Sequence, residues 1–287
     1  MQAHSRLTSR QSKKFTERRK ARAVITGVLF IVCATSWIFS FAEFGSLSFF
    51  SIQNVNVIGA DKDIQSQVAT AAMTALHGSY LGLFSKSNTV LYPKSTVVAA
   101  VASSSPRIQS VSVSRDGLQG LAITVNEKKP SAVICTSLPD FSTSDQMPDG
   151  CYFADASGLI FEPAPTFSDH VYNRYYIPGL SDSGTAESRI IGSYATSTAE
   201  FAALQEFYDG AHLSGIDPVG ALVKDGGEYE LYARNRTSSD VMVIYFNDSR
   251  SIHDELVNLV SFWKNEPGDL DYIDLRYGSN VFFHKNQ

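Results

Sequence analysis

The longest uninterrupted apolar run in the chain is Ala23 to Ala42, about 20 residues without a charge, the length that spans roughly 30 Å of hydrocarbon as a helix. Beyond it the pattern shortens. Phe50, Ile52, Val55 and Val57 mark a strand that stops at Gly59-Ala60-Asp61, whose Asp can cap the element after it. Ile64, Val68, Ala71, Ala72, Ala75 and Leu76 then fall on one helical stripe, with Gly78 just past its end as a C-cap candidate. Pro93 opens a shorter helix at the position where a missing N–H costs nothing, with Val97, Ala100 and Val101 inward, and Pro106 stops it. Two alternating segments follow, Ile108, Val111 and Val113, then Leu121, Ile123 and Val125, joined through Asp116-Gly117 as a hairpin turn. The expected order is strand, helix, helix, strand, strand.

A second stretch opens with Ser131 to Cys135, Cys151 to Asp155 and Gly158 to Phe161, which read as short strands. A polar, Ser-rich segment from Ser181 to Ser197 leads to a helix in which Phe201, Leu204, Phe207 and Tyr208 share a face. Val219, Ala221 and Val223, then Tyr229, Leu231 and Ala233, alternate as half-buried strands do, and Val241 to Phe246 reads as a continuous apolar strand. The next helix begins at Ser251, with Asp254 three residues on as a capping box, places Ile252, Leu256, Leu259, Val260 and Trp263 on one stripe, and ends at Pro267-Gly268. Leu270 to Tyr277 and Asn280 to Lys285 close the chain as two strands meeting at Gly278-Ser279. Ile273, Leu275 and Tyr277 form the expected buried face, with Tyr272, Asp274 and Arg276 opposite, where the Asp/Arg pair partly neutralises itself.

Charge sets the orientation expected of the apolar run. Arg6, Arg10, Lys13, Lys14, Arg18, Arg19, Lys20 and Arg22 precede it against one acid, Glu17, so the positive-inside rule puts residues 1–22 in the cytoplasm and everything from Glu43 outward. A cleaved signal peptide is the competing reading. Against it, the run exceeds a 7 to 15 residue h-region and leaves through Ser40-Phe41-Ala42-Glu43-Phe44, which is no small-x-small site. The outer part keeps 16 Lys+Arg against 28 Asp+Glu, a net charge of about −12, which argues against nucleic acid or an acidic lipid surface as its partner. Of three cysteines, Cys33 lies in the span, while Cys135 and Cys151 face an oxidising exterior and can pair around a loop carrying Pro139, Pro148 and Gly150. Two small buried thiols at neighbouring strand ends are the alternative.

The order of elements in residues 49–130, with Pro106-x-Ile108 before its second strand and Glu127-Lys128-Lys129-Pro130 after its third, resembles a POTRA module, a small α+β unit that docks or chaperones polypeptides. Such a unit has helices on one face of a three-stranded sheet and an exposed edge to which another chain can add a strand. With residues 131–287 as a mainly antiparallel β domain carrying two amphipathic helices, the whole chain is similar to the FtsQ/DivIB family of bacterial cell-division proteins. The matching features are the basic tail, the anchor at residues 23–42, the Glu127-x-x-Pro130 junction, the Asp155-x-x-Gly158 hairpin and the run Ile273-Asp274-Leu275-Arg276-Tyr277. The Ser181 to Ser197 insert and the Cys pair depart from the familiar pattern.

That resemblance implies a non-enzymatic divisome scaffold, single-pass in the cell membrane and gathered at the septum. It would bind FtsB-like and FtsL-like single-pass proteins, meet other divisome proteins through the POTRA module, and help recruit septal peptidoglycan synthesis. In such proteins the late strands of the β domain accept a strand from the FtsB-like partner. The stretch that matches is Tyr277, Ser279, Val281 and Phe283, with Arg276 and Tyr272 beside it. Successive strand residues face opposite ways, so of Phe282 and Phe283 only one can fill the core of a single-layer sheet.

Chemistry-bearing motifs give nothing stronger. Ser261-Phe262-Trp263-Lys264 matches the Ser-x-x-Lys of penicillin-binding enzymes, but neither Ser-Asp-Asn nor Lys-Thr-Gly follows it. His4, His77, His170, His212, His253 and His284 are scattered without metal-ligand spacing, and no phosphate-binding glycine motif occurs, so neither cofactor nor small-molecule substrate is expected. Asn235-Arg236-Thr237 and Asn247-Asp248-Ser249 match the glycosylation sequon only by triplet pattern. Two rival readings remain. A POTRA-bearing transport or chaperone factor would continue into a membrane β-barrel, which residues after Pro130 do not resemble. A tethered cell-wall hydrolase needs a pocket of acid, base or metal groups.

Overall fold

The computed structural model describes residues 19–37, 40, 48–82, 84–141, 147–166, 171–181, 190–238, 240–266 and 268–285. The basic residues before Arg19, Pro267 and most of the Ser-rich insert lie outside them. Among the described residues one helix, α1 (Arg19–Trp37), is long and apolar enough to cross a membrane; its 19 residues rise about 28 Å. It starts four residues before the expected Ala23. Its threonines leave no polar group unpaired: Thr26 Oγ1 donates to the Arg22 carbonyl at 2.8 Å and Thr35 Oγ1 to that of Val32 at 3.0 Å.

The chain divides into two compact units, Met1–Ser105 with Ser110–Asn126, and Pro106–Gln109 with Glu127–Gln287. In the first, β1 (Asn54–Ile58), α2 (Lys62–Ala75), α3 (Lys94–Ala102), β4 (Ile108–Asp116) and β5 (Gly120–Glu127) follow in chain order. A two-residue hairpin, β2 (Ser79–Tyr80) with β3 (Phe84–Ser85), interrupts them; it is too short for any periodicity to announce it. The sheet order is β1-β5-β4, with β1 parallel to β5. Ile64, Val68, Ala72 and Leu76 pack from α2, and Val97 and Val101 from α3, with Leu121, Ile123 and Val125 in the buried core. Three local expectations fail. The segment before β1 is a single 3-10 turn at Ser48–Phe50, and Asp61 occupies the N-cap of α2 without a side-chain cap bond. Pro93 is the N-cap of α3, one position before the helix rather than in its first turn.

The second unit is built on a nine-stranded sheet ordered β14-β13-β12-β11-β10-β9-β6-β7-β8. Its strands are β6 (Ala132–Cys135), β7 (Cys151–Ala154), β8 (Ile160–Pro163), β9 (Asn173–Tyr176), β10 (Asp217–Lys224), β11 (Glu228–Arg234), β12 (Val241–Asn247), β13 (Leu270–Tyr277) and β14 (Asn280–Lys285). Five pairings are antiparallel and three parallel. Two helices, α4 (Thr198–Leu213) and α5 (Ile252–Asn265), share one core with one face of this sheet. Phe201, Leu204, Phe207 and Ala211 come from α4, Leu256, Leu259 and Trp263 from α5, and Ile134, Tyr175, Leu231, Ile244 and Ile273 from the strands. The helices meet at Gly210, where a Cβ would lie 2.4 Å from the end of the Leu256 side chain, so a larger residue would force that side chain to shift.

The opposite face holds a smaller cluster of Val133, Cys135, Met147, Cys151, Tyr176 and Leu222, onto which Phe141 folds with its ring 4.6 Å from that of Tyr232. Cys135 and Cys151 stand opposite each other on β6 and β7 and are joined by a disulfide. The one-sided helix layer corrects the reading of β12. Met242, Ile244 and Phe246 are buried, but Val241, Val243 and Tyr245 are only half-buried, so the strand alternates although its sequence does not. The capping box of α5 is also absent. Ser251 makes no side-chain cap bond, and Asp254 donates its backbone N–H to the Ser251 carbonyl at 2.9 Å. Strand β9, with buried Arg174, Tyr175 and Tyr176, carried no recognisable alternation and is the element that sequence reading misses.

Candidate functional site

The last two strands form a hairpin at the end of the large sheet. β13 lies parallel to β12, with Val243 opposite Tyr272 and Tyr245 opposite Asp274, and β14 folds back antiparallel, with Ile273 opposite Phe283 and Asp274 opposite Phe282. Among the described residues β14 pairs with β13 alone; its other flank is the sheet's margin. The register slips at both ends of the hairpin, between Leu270 and Tyr272 and between Asp274 and Tyr277. These irregularities twist an edge and shorten its flat stretch.

Local contacts hold the hairpin in place. Asn235 is buried after β11 and uses its side-chain amide as a strand would: Nδ2 donates to the Leu270 carbonyl at 2.9 Å and Oδ1 accepts the Leu270 N–H at 2.8 Å. That geometry occupies the amide of the first sequon. Asp269 accepts from Thr237 and Ser238 N–H and from the Thr237 hydroxyl, and these bonds hold its carboxyl below the usual range. Arg236 lies 4.1 Å over the Trp263 ring, linking the same loop to α5. Asn258 of α5 donates to the Gly278 carbonyl in the hairpin turn at 3.4 Å. Asn235 and Asp269, invisible to periodicity, thus set where β13 begins.

The expected partner-binding residues distribute over both faces and the turn. Arg276 grips Asp274 through Nε at 2.9 Å and Nη2 at 2.7 Å. Burial alone would raise Asp274, but the hydrogen bonds and charge of Arg276 together outweigh it and hold the carboxyl below its ordinary value. Arg276 also lies 5.1 Å over the Tyr245 ring, and Tyr272 stacks with His284 at 6.1 Å on the same helix-free face. Val281 is half-buried against the helix-side core, and Phe283, 40% exposed, stands 4.9 Å from Phe262 of α5. Ser279 is exposed in the turn. Tyr277 corrects the expectation of a buried face: it is 59% exposed and meets Phe282 edge-on at 5.3 Å, because the register slip after Asp274 ends the alternation. Phe282 is 52% exposed, so neither terminal phenylalanine is buried in the core.

A buried carboxylate on α5, at the end of β12, was not foreseen. Glu255, in the first turn of α5, takes the Asn247 N–H on Oε2 at 3.0 Å while its Oε1 is buried without a hydrogen bond. Burial pushes its pKa up to about 7; Asn247 and Arg250 oppose this, and Asp274 and Asp248 add to it.

No constellation for chemistry accompanies these features. Among the described residues no group of three or more His, Cys, Asp or Glu is placed to hold a metal. A groove of about 460 Å3 on the helix-free face is lined by Leu138, Asp140, Phe141, Tyr232, Asp240 and Val243, with no nucleophile beside a base. Comparison with known proteins gives no family: no protein-family model matches the chain, and no curated protein matches it.

Proposed function

We propose that this chain is a single-pass, non-enzymatic scaffold of the bacterial cell-division machinery, of the FtsQ/DivIB kind, whose β14 margin receives a strand from an FtsB-like partner. The observation that carries the reading is a strand, β14, that among the described residues is bonded on one flank only, with Tyr277, Phe282 and Phe283 exposed around it. Exposed apolar side chains along an unpaired ladder are the surface to which another chain adds: backbone groups supply affinity and alternate side chains supply selectivity. Lys285, paired with Glu266 at 2.7 Å, and the register slips limit the open stretch to a short segment, which discourages indiscriminate pairing.

The first unit supports the same reading. Its order of strand, helix, helix, strand and strand, interrupted by the short β2–β3 hairpin, is the order on which the POTRA resemblance rests, and α1 is long and apolar enough to serve as the span of a bitopic protein. The test is co-purification of the full chain with an FtsB-like protein and an FtsL-like protein. Val281→Asp should weaken capture by at least about 30-fold, the scale of a hot-spot side chain. Because Val281 also touches the core, Phe282→Asp, at a more exposed position, separates lost docking from lost folding. Unchanged capture by both variants would remove the site. A fluorescent fusion should gather at mid-cell, and uniform envelope fluorescence with normal division would remove the function.

A further inference from the structure

The first unit has an apolar corner that its fold does not use. Thr89, itself buried, fastens three separate segments together: its N–H and hydroxyl both bond the Phe50 carbonyl, at 2.8 and 3.0 Å, and its hydroxyl also reaches the Leu118 carbonyl at 2.6 Å. Around this knot Phe49, Val90, Leu91 and Leu118 present their side chains outward, each between 47% and 58% exposed. A second projection rises from the same corner. Ser87 bonds Ser51 at 3.4 Å and Ser85 at 2.7 Å, and the β2–β3 hairpin that ends at Ser85 carries Leu81 at its tip, 94% exposed with φ of 52°. A leucine there holds a backbone conformation that favours glycine with its side chain almost fully exposed, a strain worth keeping where the side chain has a use.

Chain connectivity keeps this corner within reach of one surface, the bilayer that α1 would cross. Phe49 stands where the chain arrives from α1: only residues 38–48 separate it from Trp37, at most roughly 40 Å of extended backbone. Trp37 ends the described span, and tryptophan is the side chain enriched where a span meets the headgroups. At the corner's rim the exposed Arg115 donates to the Val90 carbonyl at 3.4 Å, and Asp116 follows it in the chain with the opposite charge.

We infer that the corner formed by Phe49, Val90, Leu91 and Leu118 lies in the headgroup layer of the bilayer that α1 crosses, fixing the first unit against the lipid surface. Side chains of this kind enter about 5–10 Å into the interface. The inference rests on reading α1 as a bilayer span.

The test uses the full chain in phosphatidylcholine vesicles, with an environment-sensitive dye and lipids carrying spin-label quenchers at shallow or deep positions. Native Cys33, exposed on α1, reports the span. In a Cys33→Ser background, Val90→Cys and Leu118→Cys report the corner, and Ser110→Cys, about 17 Å back along β4 from Arg115, serves as reference; the same background without an added cysteine measures stray labelling. Expected are deep quenching at residue 33, blue-shifted emission with shallow quenching at 90 and 118, and neither at 110. Adding Leu118→Asp should reverse the blue shift at 90 while leaving the circular-dichroism melt in place. If 33 is quenched but 90 and 118 behave like 110, the corner faces water or a protein and the inference falls while the span stands. If 33 is not quenched, the span reading fails and takes the inference with it.

Discussion

At one margin of the nine-stranded sheet, Ile160 of β8 bonds to the chain itself through its outward backbone groups; at the other, among the described residues, β14 has no such cover. Ile160 donates its N–H to the Ser193 carbonyl at 2.9 Å and accepts from Gly192 at 2.7 Å, and Leu159 bridges to Tyr194. Residues 190–195, described at the end of the Ser-rich insert, thus lie along Ile160 where a tenth strand would, and Phe161 next to it is only 1% exposed. The turn before β8 is built for the same closure: Gly158, at φ of 82°, lies where a Cβ would meet Phe201 at 2.9 Å, so only glycine brings the hairpin down onto α4. At β14 the aromatic side chains point out instead. A sheet that seals one margin with its own backbone and leaves the other open restricts strand addition to one side.

The largest effect expected from breaking that contrast is Phe161→Ala, which opens a cavity at the sealed margin and should cost about 3–5 kcal/mol in urea unfolding. Next comes the bridge between β6 and β7. Cys135→Ser with Cys151→Ser should lose about 3 kcal/mol, with the model-dependent entropy of a loop of this length as its main source. Non-reducing mass spectrometry of the purified chain should find it two hydrogens lighter than the dithiol form.

At the end of β12, two strands in from the open margin, Glu255 sets a pH dependence of unusual sign. Its folded pKa is raised, so the folded chain holds more protons than the unfolded chain between about 4.5 and about 7, and its contribution to stability falls as pH rises through that window. Glu255→Gln should flatten this part of the stability curve and stabilise the chain at pH 8; each pKa unit is worth about 1.4 kcal/mol. A mutant curve parallel to that of the parent would show that Glu255 ionises normally. The smallest effect belongs to Phe282→Ala, which should change stability by no more than about 0.5 kcal/mol because its side chain is 52% exposed. Amide hydrogen exchange sharpens the contrast without mutation: Ile160 and Gly192 should be protected, while outward-facing amides of β14 exchange quickly in the unpartnered chain.

Helical stripes were legible in advance because their period is local. Ile64, Val68 and Ala72 on α2, Phe201, Leu204 and Phe207 on α4, and Leu256, Leu259 and Trp263 on α5 are buried where 3.6-residue spacing places them. The apolar span is equally local, and so is the pairing of Asp274 with Arg276, two residues apart on one strand face. Strands were harder. Val241 to Phe246 looks buried on both faces, yet only one face meets a helix layer, and whether the other is covered depends on segments far away in the chain. Asn235 and Glu255 could not be picked from sequence because their burial comes from neighbours on other strands and helices.

The amino-acid order by itself thus determined a membrane-length helix, two sets of amphipathic elements and a terminal hairpin, since each depends on side-chain spacing within one element. Tertiary structure alone decided that β9 sits between β6 and β10, that residues 190–195 seal one margin, and that β14 is left at the other. Strand order is a matter of which distant segments pair, and the free energy of that choice lies in contacts that no local pattern contains.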